Sequence, residues 1–199
     1  MFTRIVSFTA ARDIDAGIEF IRGTVTPVLH QQKGFGGVTA SADRSSELLA
    51  VLTLWETAAD RDASESALLK VREEGLKLIG GHLSVELFEE VLTELVAGPP
   101  SVGSSLLVTR VSMDPAKIEE NLDYFKREVL PQIKAGPGLL ALRHMVNRQT
   151  GDAMVGTVWA DADSMRAAAE AAAARQRSAD LPVTIQGRSE REIVFVDLP

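Results

Sequence analysis

The chain has 199 residues, of which 45% are hydrophobic and 25% are charged, and its net charge is −7 at pH 7. This is the composition of an ordinary globular protein, and the negative charge argues against binding to nucleic acid or to an anionic membrane. The sequence has no cysteine, which excludes disulfides, thiolate nucleophiles and cysteine metal ligands. It also has no apolar run long enough for a transmembrane helix and no signal-peptide pattern, so we expect a cytoplasmic protein.

The first half of the chain predicts a strand, a helix, two strands, a second helix and a final strand. Apolar residues recur at helical spacing in the first helix, and Pro27 is expected to bend its last turns. A glycine-rich turn from Gly34 ends this helix, and Thr57 is expected to cap the second helix. The predicted elements are a strand at 4–9, a helix at 13–32, strands at 35–41 and 48–55, a helix at 58–79 and a strand at 84–95.

The second half predicts the same order of elements. These are a strand at 106–113, a helix at 115–134, strands at 139–147 and 153–159, an alanine-rich helix at 164–177 and a strand at 192–196. The segment between the halves, 98–105, is rich in glycine, proline and serine and predicts a linker. We therefore predict two modules, residues 1–97 and 106–199, joined by this linker.

The repeat is also visible in the residues themselves. Positions 25–55 align with 129–159 at a constant separation of 104, without a gap and with seven identities. A constant separation through helix, turn and strand favours a tandem duplication. The identical pairs are Val25 and Val129, Pro27 and Pro131, Gly34 and Gly138, Arg44 and Arg148, Val51 and Val155, Thr53 and Thr157, and Trp55 and Trp159.

The element order βαββαβ in each half is that of a ferredoxin-like module. A four-stranded sheet of this kind carries its helices on one face and leaves the other face open. The strand at 48–55 is apolar on both faces, which predicts that both faces are buried. We therefore predict an α+β fold in which two tandem ferredoxin-like modules pack sheet to sheet as an intramolecular α+β barrel.

The turn Gly34-Phe35-Gly36-Gly37, the strand Val51-Leu52-Thr53-Leu54-Trp55-Glu56 and the helix after it resemble the antibiotic biosynthesis monooxygenase (ABM) family. That family belongs to the dimeric α+β-barrel superfamily, and its members usually form homodimers of one module. The resemblance covers the chain once per module, so this chain is similar to such a dimer fused into one polypeptide. The family includes cofactor-independent oxygenases of aromatic polyketides, haem-degrading enzymes and many proteins of unknown role.

The haem-degrading members of this family use a tryptophan, an asparagine on the first strand and an iron-binding histidine on the second helix. Trp55 and Trp159 match the tryptophan. The nearest match to the asparagine is Ser7 in the first module and Arg110 or Val111 in the second, and neither second helix contains a histidine. We therefore expect no haem.

The polyketide oxygenases of the family pair the tryptophan with an asparagine and a nearby tyrosine, whereas the one tyrosine here, Tyr124, lies on a predicted helix. The three histidines, His30, His82 and His144, are scattered without the short spacing of metal ligands. We expect neither a metal nor another cofactor.

Five residues are candidates for a binding or catalytic site. Trp55 and Trp159 end inner strands, and each is either an aromatic wall for a flat ligand or a large core anchor. His144 alternates with apolar residues and is either a general base or a hydrogen-bonded core histidine. Arg143 and Asn147 share the opposite face of that strand and are either binding groups for an anionic ligand or residues of the sheet rim.

The second module is the better candidate for an active pocket. At the positions that correspond to His144 and Tyr124, the first module has Ala40 and Phe20. We therefore expect the first module mainly to complete the barrel, and the second module to hold any general base.

Three functions stay open at this point. The first is an ABM-like cofactor-independent oxygenase of a small aromatic or quinone-like substrate, with His144 as the base and Trp159 in a cavity that excludes water. The others are a non-catalytic small-molecule binder and a structural α+β-barrel protein of unknown role. The expected partners are a small apolar or aromatic ligand and a second copy of the chain in a homodimer, but neither nucleic acid nor a membrane. A cavity beside Trp55 or Trp159 would favour a ligand-binding role.

Overall fold

The computed structural model describes residues 1–178 and 182–198, and these form an α+β fold. Both halves of the chain follow the predicted order of elements. The strands are β1 (Phe2–Thr9), β2 (Phe35–Asp43), β3 (Leu48–Trp55), β4 (His82–Leu95), β5 (Ser105–Ser112), β6 (Leu139–Val146), β7 (Asp152–Trp159) and β8 (Thr184–Asp197). The α-helices are α1 (Ile14–Phe20), α2 (Thr26–His30), α3 (Ala58–Ala63), α4 (Glu65–Ile79), α5 (Ile118–Tyr124), α6 (Leu130–Lys134) and α7 (Ala162–Ser178).

The eight strands pair in the order β1-β3-β2-β8-β5-β7-β6-β4, and this order closes into a barrel. Strands β1, β3 and β2 run antiparallel to their neighbours, and so do β5, β7 and β6. The predicted fold class, an α+β barrel of ferredoxin-like elements, is confirmed. Strand β3 is buried on both faces, as its apolar sequence predicted, and only Leu48 and Leu52 are partly exposed.

The chain forms two compact units, residues 1–88 with the segment from Glu192 onwards, and residues 89–191. The division falls inside the long strands β4 and β8 rather than in the predicted linker 98–105. In the first unit, β2 pairs with the end of β8. In the second unit, β6 pairs with the end of β4. The module boundaries at 97 and 106 describe the sequence repeat, and they stay a prediction.

The strand register shows how the two halves correspond at their first strands. Phe2 of β1 faces Trp55, whereas Ser105 of β5 faces Trp159. Residues of β1 and β5 therefore correspond at a separation of 103 positions rather than 104. The first half has one residue fewer than the second half between its first strand and the following β-hairpin. Ser7 consequently corresponds to Arg110, one of the two matches that the sequence left open.

The first predicted helix of each half contains a π-helical turn. These turns span Ile21–Val25 and Phe125–Val129, and each one precedes a proline, Pro27 or Pro131, at the start of the next helix. Proline has no N–H and its ring collides with the carbonyl four residues earlier, so the wider turn relieves that clash.

Within residues 1–178 and 182–198, no helix is long and apolar enough to cross a membrane.

Two other elements differ from the sequence prediction. The second helix of the first half is interrupted at Ser64, between α3 and α4, although Thr57 caps its start as predicted. The last strand begins at Thr184 and not at 192. Its first residues are largely polar and partly exposed, so the hydrophobic pattern that reveals the end of the strand is missing from its beginning.

Candidate functional site

A cavity of about 280 Å³ lies in the second unit, lined by residues of strands β5 to β8 and of the helices that pack on them. Its walls are mostly apolar, and Trp159 forms one of them. Several alanines of α7, among them Ala168, Ala171 and Ala172, face the cavity and leave space that larger side chains would fill. A cavity of this size can hold a ligand of one or two aromatic rings.

Trp159 closes the end of β7 and is 1% exposed. Its indole Nε1 donates a hydrogen bond of 2.9 Å to Oγ1 of Thr157 on the same strand. Both residues line the cavity. The ring is therefore held in place by a bond within its own strand and presents an aromatic surface.

His144 also lines the cavity, as the alternation along β6 predicted. Its side chain is 3% exposed, and neither Nδ1 nor Nε2 has a hydrogen-bond partner among the described residues. Burial, with a smaller contribution from the charge of Lys126, lowers the pKa of His144 to about 4. The imidazole is therefore neutral at pH 7, with one nitrogen able to donate a hydrogen bond and the other able to accept one.

Asn121 on α5 is a second buried polar group of the cavity, and the sequence reasoning did not single it out. It is 5% exposed, and within the described part of the chain neither its Oδ1 nor its Nδ2 has a partner. It lies between Ile118 and Phe125 at helical spacing, on the apolar face of its helix. An asparagine inside such a stripe was the signal that could have identified it.

Two arginines bring positive charge to the cavity lining, and the sequence reasoning missed both. Arg175 on α7 donates a hydrogen bond of 3.0 Å to Oε1 of Gln132. Arg188 on β8 donates to Oε1 of Gln176 at 2.9 Å and to the carbonyl of Ala172 at 3.4 Å. Burial lowers the pKa of Arg188, and the neighbouring charge of Arg175 lowers it further.

Arg143 and Asn147 lie outside this cavity lining. Arg143 forms an ion pair with Glu90 of the adjacent strand β4. Asn147 shapes the turn after β6, where its Oδ1 accepts hydrogen bonds from the backbone N–H groups of Gln149 and Thr150. The structure thus brings His144 and Trp159 together, but not these two residues with them.

The corresponding cavity of the first unit is much smaller, about 50 Å³. Arg4 pairs with Thr53 in the strand register as Leu107 pairs with Thr157, so Arg4 corresponds to Leu107. Its side chain fills part of the space, and its guanidinium lies 5.7 Å from the centre of the Trp55 ring. Phe20 occupies the position of Tyr124. Trp55 is fully buried, does not line the small cavity, and donates to Oγ1 of Thr53.

Arg4 is held firmly in that place. It is 2% exposed, donates to Oγ of Ser64 at 2.8 Å and to the carbonyl of Arg61 at 2.6 Å, and forms an ion pair with Glu65. The two terminal nitrogens of the Arg4 guanidinium are thus bound within the first unit, whereas its Nε is buried without a partner among the described residues. The side chain leaves little room for a ligand. Across residues 1–178 and 182–198, no three histidine, aspartate or glutamate side chains form a cluster suited to a metal ion.

No known protein-family model matches the sequence. Two uncharacterized proteins of Mycobacterium tuberculosis (strain H37Rv) are similar to it. One is 28% identical over 152 residues, which cover 76% of this chain and 67% of the relative. The other is 25% identical over 134 residues, which cover 67% of this chain and 56% of the relative.

Solved structures with similar folds include proteins related to oxygenases. A candidate monooxygenase from Fusobacterium nucleatum superposes with a TM-score of 0.72 at 12% identity, covering 99% of this chain and 94% of its own. An anthrone oxidase-like protein gives 0.69 at 13% identity, covering 99% and 92%. An uncharacterized ferredoxin-fold protein from Listeria monocytogenes, related to antibiotic biosynthesis monooxygenases, gives 0.53 at 9% identity, covering 98% and 95%. At these identities, the chain shares its fold with the three proteins.

Proposed function

We propose that this chain is an ABM-like cofactor-independent oxygenase that holds a small aromatic or quinone-like substrate in the cavity of the second unit. One observation carries the proposal. His144 and Asn121 are buried in the lining of one apolar cavity, and neither side chain has a hydrogen-bond partner among the described residues. The fold shared with a candidate monooxygenase and an anthrone oxidase-like protein supports the same reading.

Unpartnered polar groups are costly in a protein interior. Each buried amide or imidazole without a hydrogen bond destabilises the fold by about 1–3 kcal/mol, so such groups call for a reason. A ligand with a carbonyl or hydroxyl oxygen would supply the missing partner to both His144 and Asn121. The apolar walls would bury its ring system, with Trp159 as an aromatic surface.

The chemistry follows from the neutral state of His144. The imidazole accepts a proton from an acidic methylene of the substrate, and Asn121 donates a hydrogen bond to the oxygen on which the negative charge develops. The carbanion passes an electron to O2, and the two radicals join in a C–O bond. The imidazolium then protonates the peroxide. The second methylene proton leaves as the O–O bond breaks, so one methylene and one O2 give one ketone and one water.

The tandem architecture is part of the same proposal. Both halves carry the π-helical turn before a proline and the same Trp-to-Thr hydrogen bond of 2.9 Å. We propose that residues 1–97 and 106–199 are two copies of one ABM-type module. The copy that retains an open cavity carries the activity, and the copy filled by Arg4 has a structural role.

A second candidate function is ligand binding without catalysis. The observation in its favour is the pKa of His144, about 4, which makes the imidazole a weak base. Both functions use the same cavity, and they differ in whether bound substrate consumes oxygen.

The proposal is tested by oxygen consumption with 2-tetralone and 2-indanone, bicyclic ketones that carry an acidic methylene, as substrates. We expect turnover above the spontaneous rate, a loss of at least about tenfold in His144→Ala and Trp159→Phe, and little change in the matched variant Trp55→Phe. Binding of these molecules without oxygen uptake would favour the non-catalytic binder. Activity that survives in His144→Ala and disappears in Trp55→Phe would show that the site has been placed in the wrong unit.

A further inference from the structure

The polar groups that line the cavity of the second unit form two sets, which lie near different strands of one sheet. Within this unit the strand order is β8-β5-β7-β6-β4, so Arg188 on β8 and His144 on β6 lie three strands apart. Three strand spacings of about 4.8 Å separate these two strands by roughly 14 Å across the sheet. The face between them is apolar and includes Leu107 and Val155.

The two sides have different charges. On the side of β6, His144 and Asn121 are neutral groups that lack partners among the described residues. On the side of β8, Arg175 and Arg188 both line the cavity. Arg188 donates hydrogen bonds to neutral acceptors, the side chain of Gln176 and the carbonyl of Ala172. Among the described residues, its buried Nε has no partner and no carboxylate forms an ion pair with it.

We propose that the ligand of this cavity is an aromatic carboxylate, whose anionic group binds Arg175 and Arg188 and whose distal carbonyl or hydroxyl reaches Asn121 and His144. The inference rests on the proposed function only in placing the ligand in the same cavity. It adds the chemical class of the ligand and its orientation.

Charge and geometry both support this class. The positive charges of Arg175 and Arg188 repel each other, and an anion between them removes that repulsion. A guanidinium group presents parallel N–H donors that match the two oxygens of a carboxylate. The roughly 14 Å between the strands of Arg188 and His144 is on the scale of a ligand with one or two fused rings and a polar group at each end. The alternative is a structural role, because Arg188 also donates a hydrogen bond to the carbonyl of Ala172 within α7.

The test compares 6-hydroxy-2-naphthoate with its neutral amide, 6-hydroxy-2-naphthamide, by isothermal titration calorimetry at pH 7.5 with the full chain. We expect the acid to bind more tightly than the amide. Arg188→Gln and Arg175→Gln should each weaken binding of the acid by about tenfold or more and leave the amide unchanged. Arg188→Lys, which keeps the charge, should recover part of the loss.

Arg166→Gln is the matched control, because Arg166 lies on α7, pairs with Asp163 and does not line the cavity. It should change neither affinity. The inference would be overturned if the acid and the amide bound with equal affinity, if the arginine variants lowered both affinities equally, or if the acid did not bind. Acid-selective binding of the naphthoate, together with no oxygen consumption with the methylene substrates named above, would uphold the inference while contradicting the oxygenase proposal, so the two can fail separately.

Discussion

The ring of Phe125 lies 4.5 Å from the ring of His144, centre to centre, and the two planes are tilted by 60°. Phe125 begins the π-helical turn of the second unit, one helical turn after Asn121. The contact covers one side of the imidazole with an apolar ring and keeps protein donors and acceptors away from it. This packing explains why His144 is neutral and available to a ligand in the cavity.

Stability should depend on pH through His144. Its pKa in the folded protein is about 4, below the usual 6.5, so the unfolded chain binds the proton more readily between these values. Stability is therefore full above about pH 6.5 and falls as the pH drops towards 4, by roughly 3 kcal/mol. Urea denaturation at pH 7.5 and 4.5 measures the change in the free energy of unfolding.

The variant His144→Leu should lose most of this pH dependence, because it removes the group that must take up the proton. The control His82→Gln alters an exposed histidine and should behave like the native protein. If His144→Leu keeps the full acid sensitivity, another group is responsible and His144 is not buried in the neutral form.

Replacing Asn121 by an apolar residue should raise stability and weaken ligand binding. Leucine has the same branched shape, and the cavity offers space for its larger methyl groups. It removes an amide whose oxygen and nitrogen lack partners among the described residues, so Asn121→Leu should raise the free energy of unfolding by about 1–3 kcal/mol. It should also weaken binding of naphthalene ligands. In contrast, Asn147→Leu should lower stability by about 1 kcal/mol, because Asn147 accepts two backbone hydrogen bonds. Destabilisation by Asn121→Leu would indicate that the amide has a partner in the native protein.

Added volume should have opposite effects in the two units. Ala168→Leu places three more carbons in a cavity of about 280 Å³, and should block ligand binding without loss of stability. Val71→Phe places four more carbons beside a cavity of about 50 Å³, and should cost about 1–3 kcal/mol by overpacking. Thermal melts and ligand titrations of both variants check this. Equal destabilisation by the two changes would mean that the larger cavity is not open in solution.

Strand periodicity predicted the parts of the site that depend on local pattern. The alternation along β6 placed His144 on an apolar face, whereas the position of Trp159 at the end of β7 left open whether it is a cavity wall or a core anchor. The same alternation placed Arg143 on the opposite face, where it pairs with Glu90.

The remaining features depend on information that periodicity does not contain. Arg188 was missed because the polar first half of β8 has no hydrophobic pattern, and Arg175 because it ends a helix whose surroundings are set by tertiary packing. Whether a cavity is open depends on side-chain volume at matched positions. Arg4 in the first unit and Leu107 in the second differ in this way, and only the strand register shows that they correspond.

The central claim is that an aromatic ligand binds beside Trp159 and not beside Trp55. The chain has two tryptophans, so a ¹H–¹⁵N spectrum contains two indole signals, which Trp55→Phe assigns. Titration with 6-hydroxy-2-naphthoate or its amide should shift the Trp159 indole signal saturably and leave the Trp55 signal in place. A saturable shift of Trp55 alone, or no shift of either signal, would contradict the account.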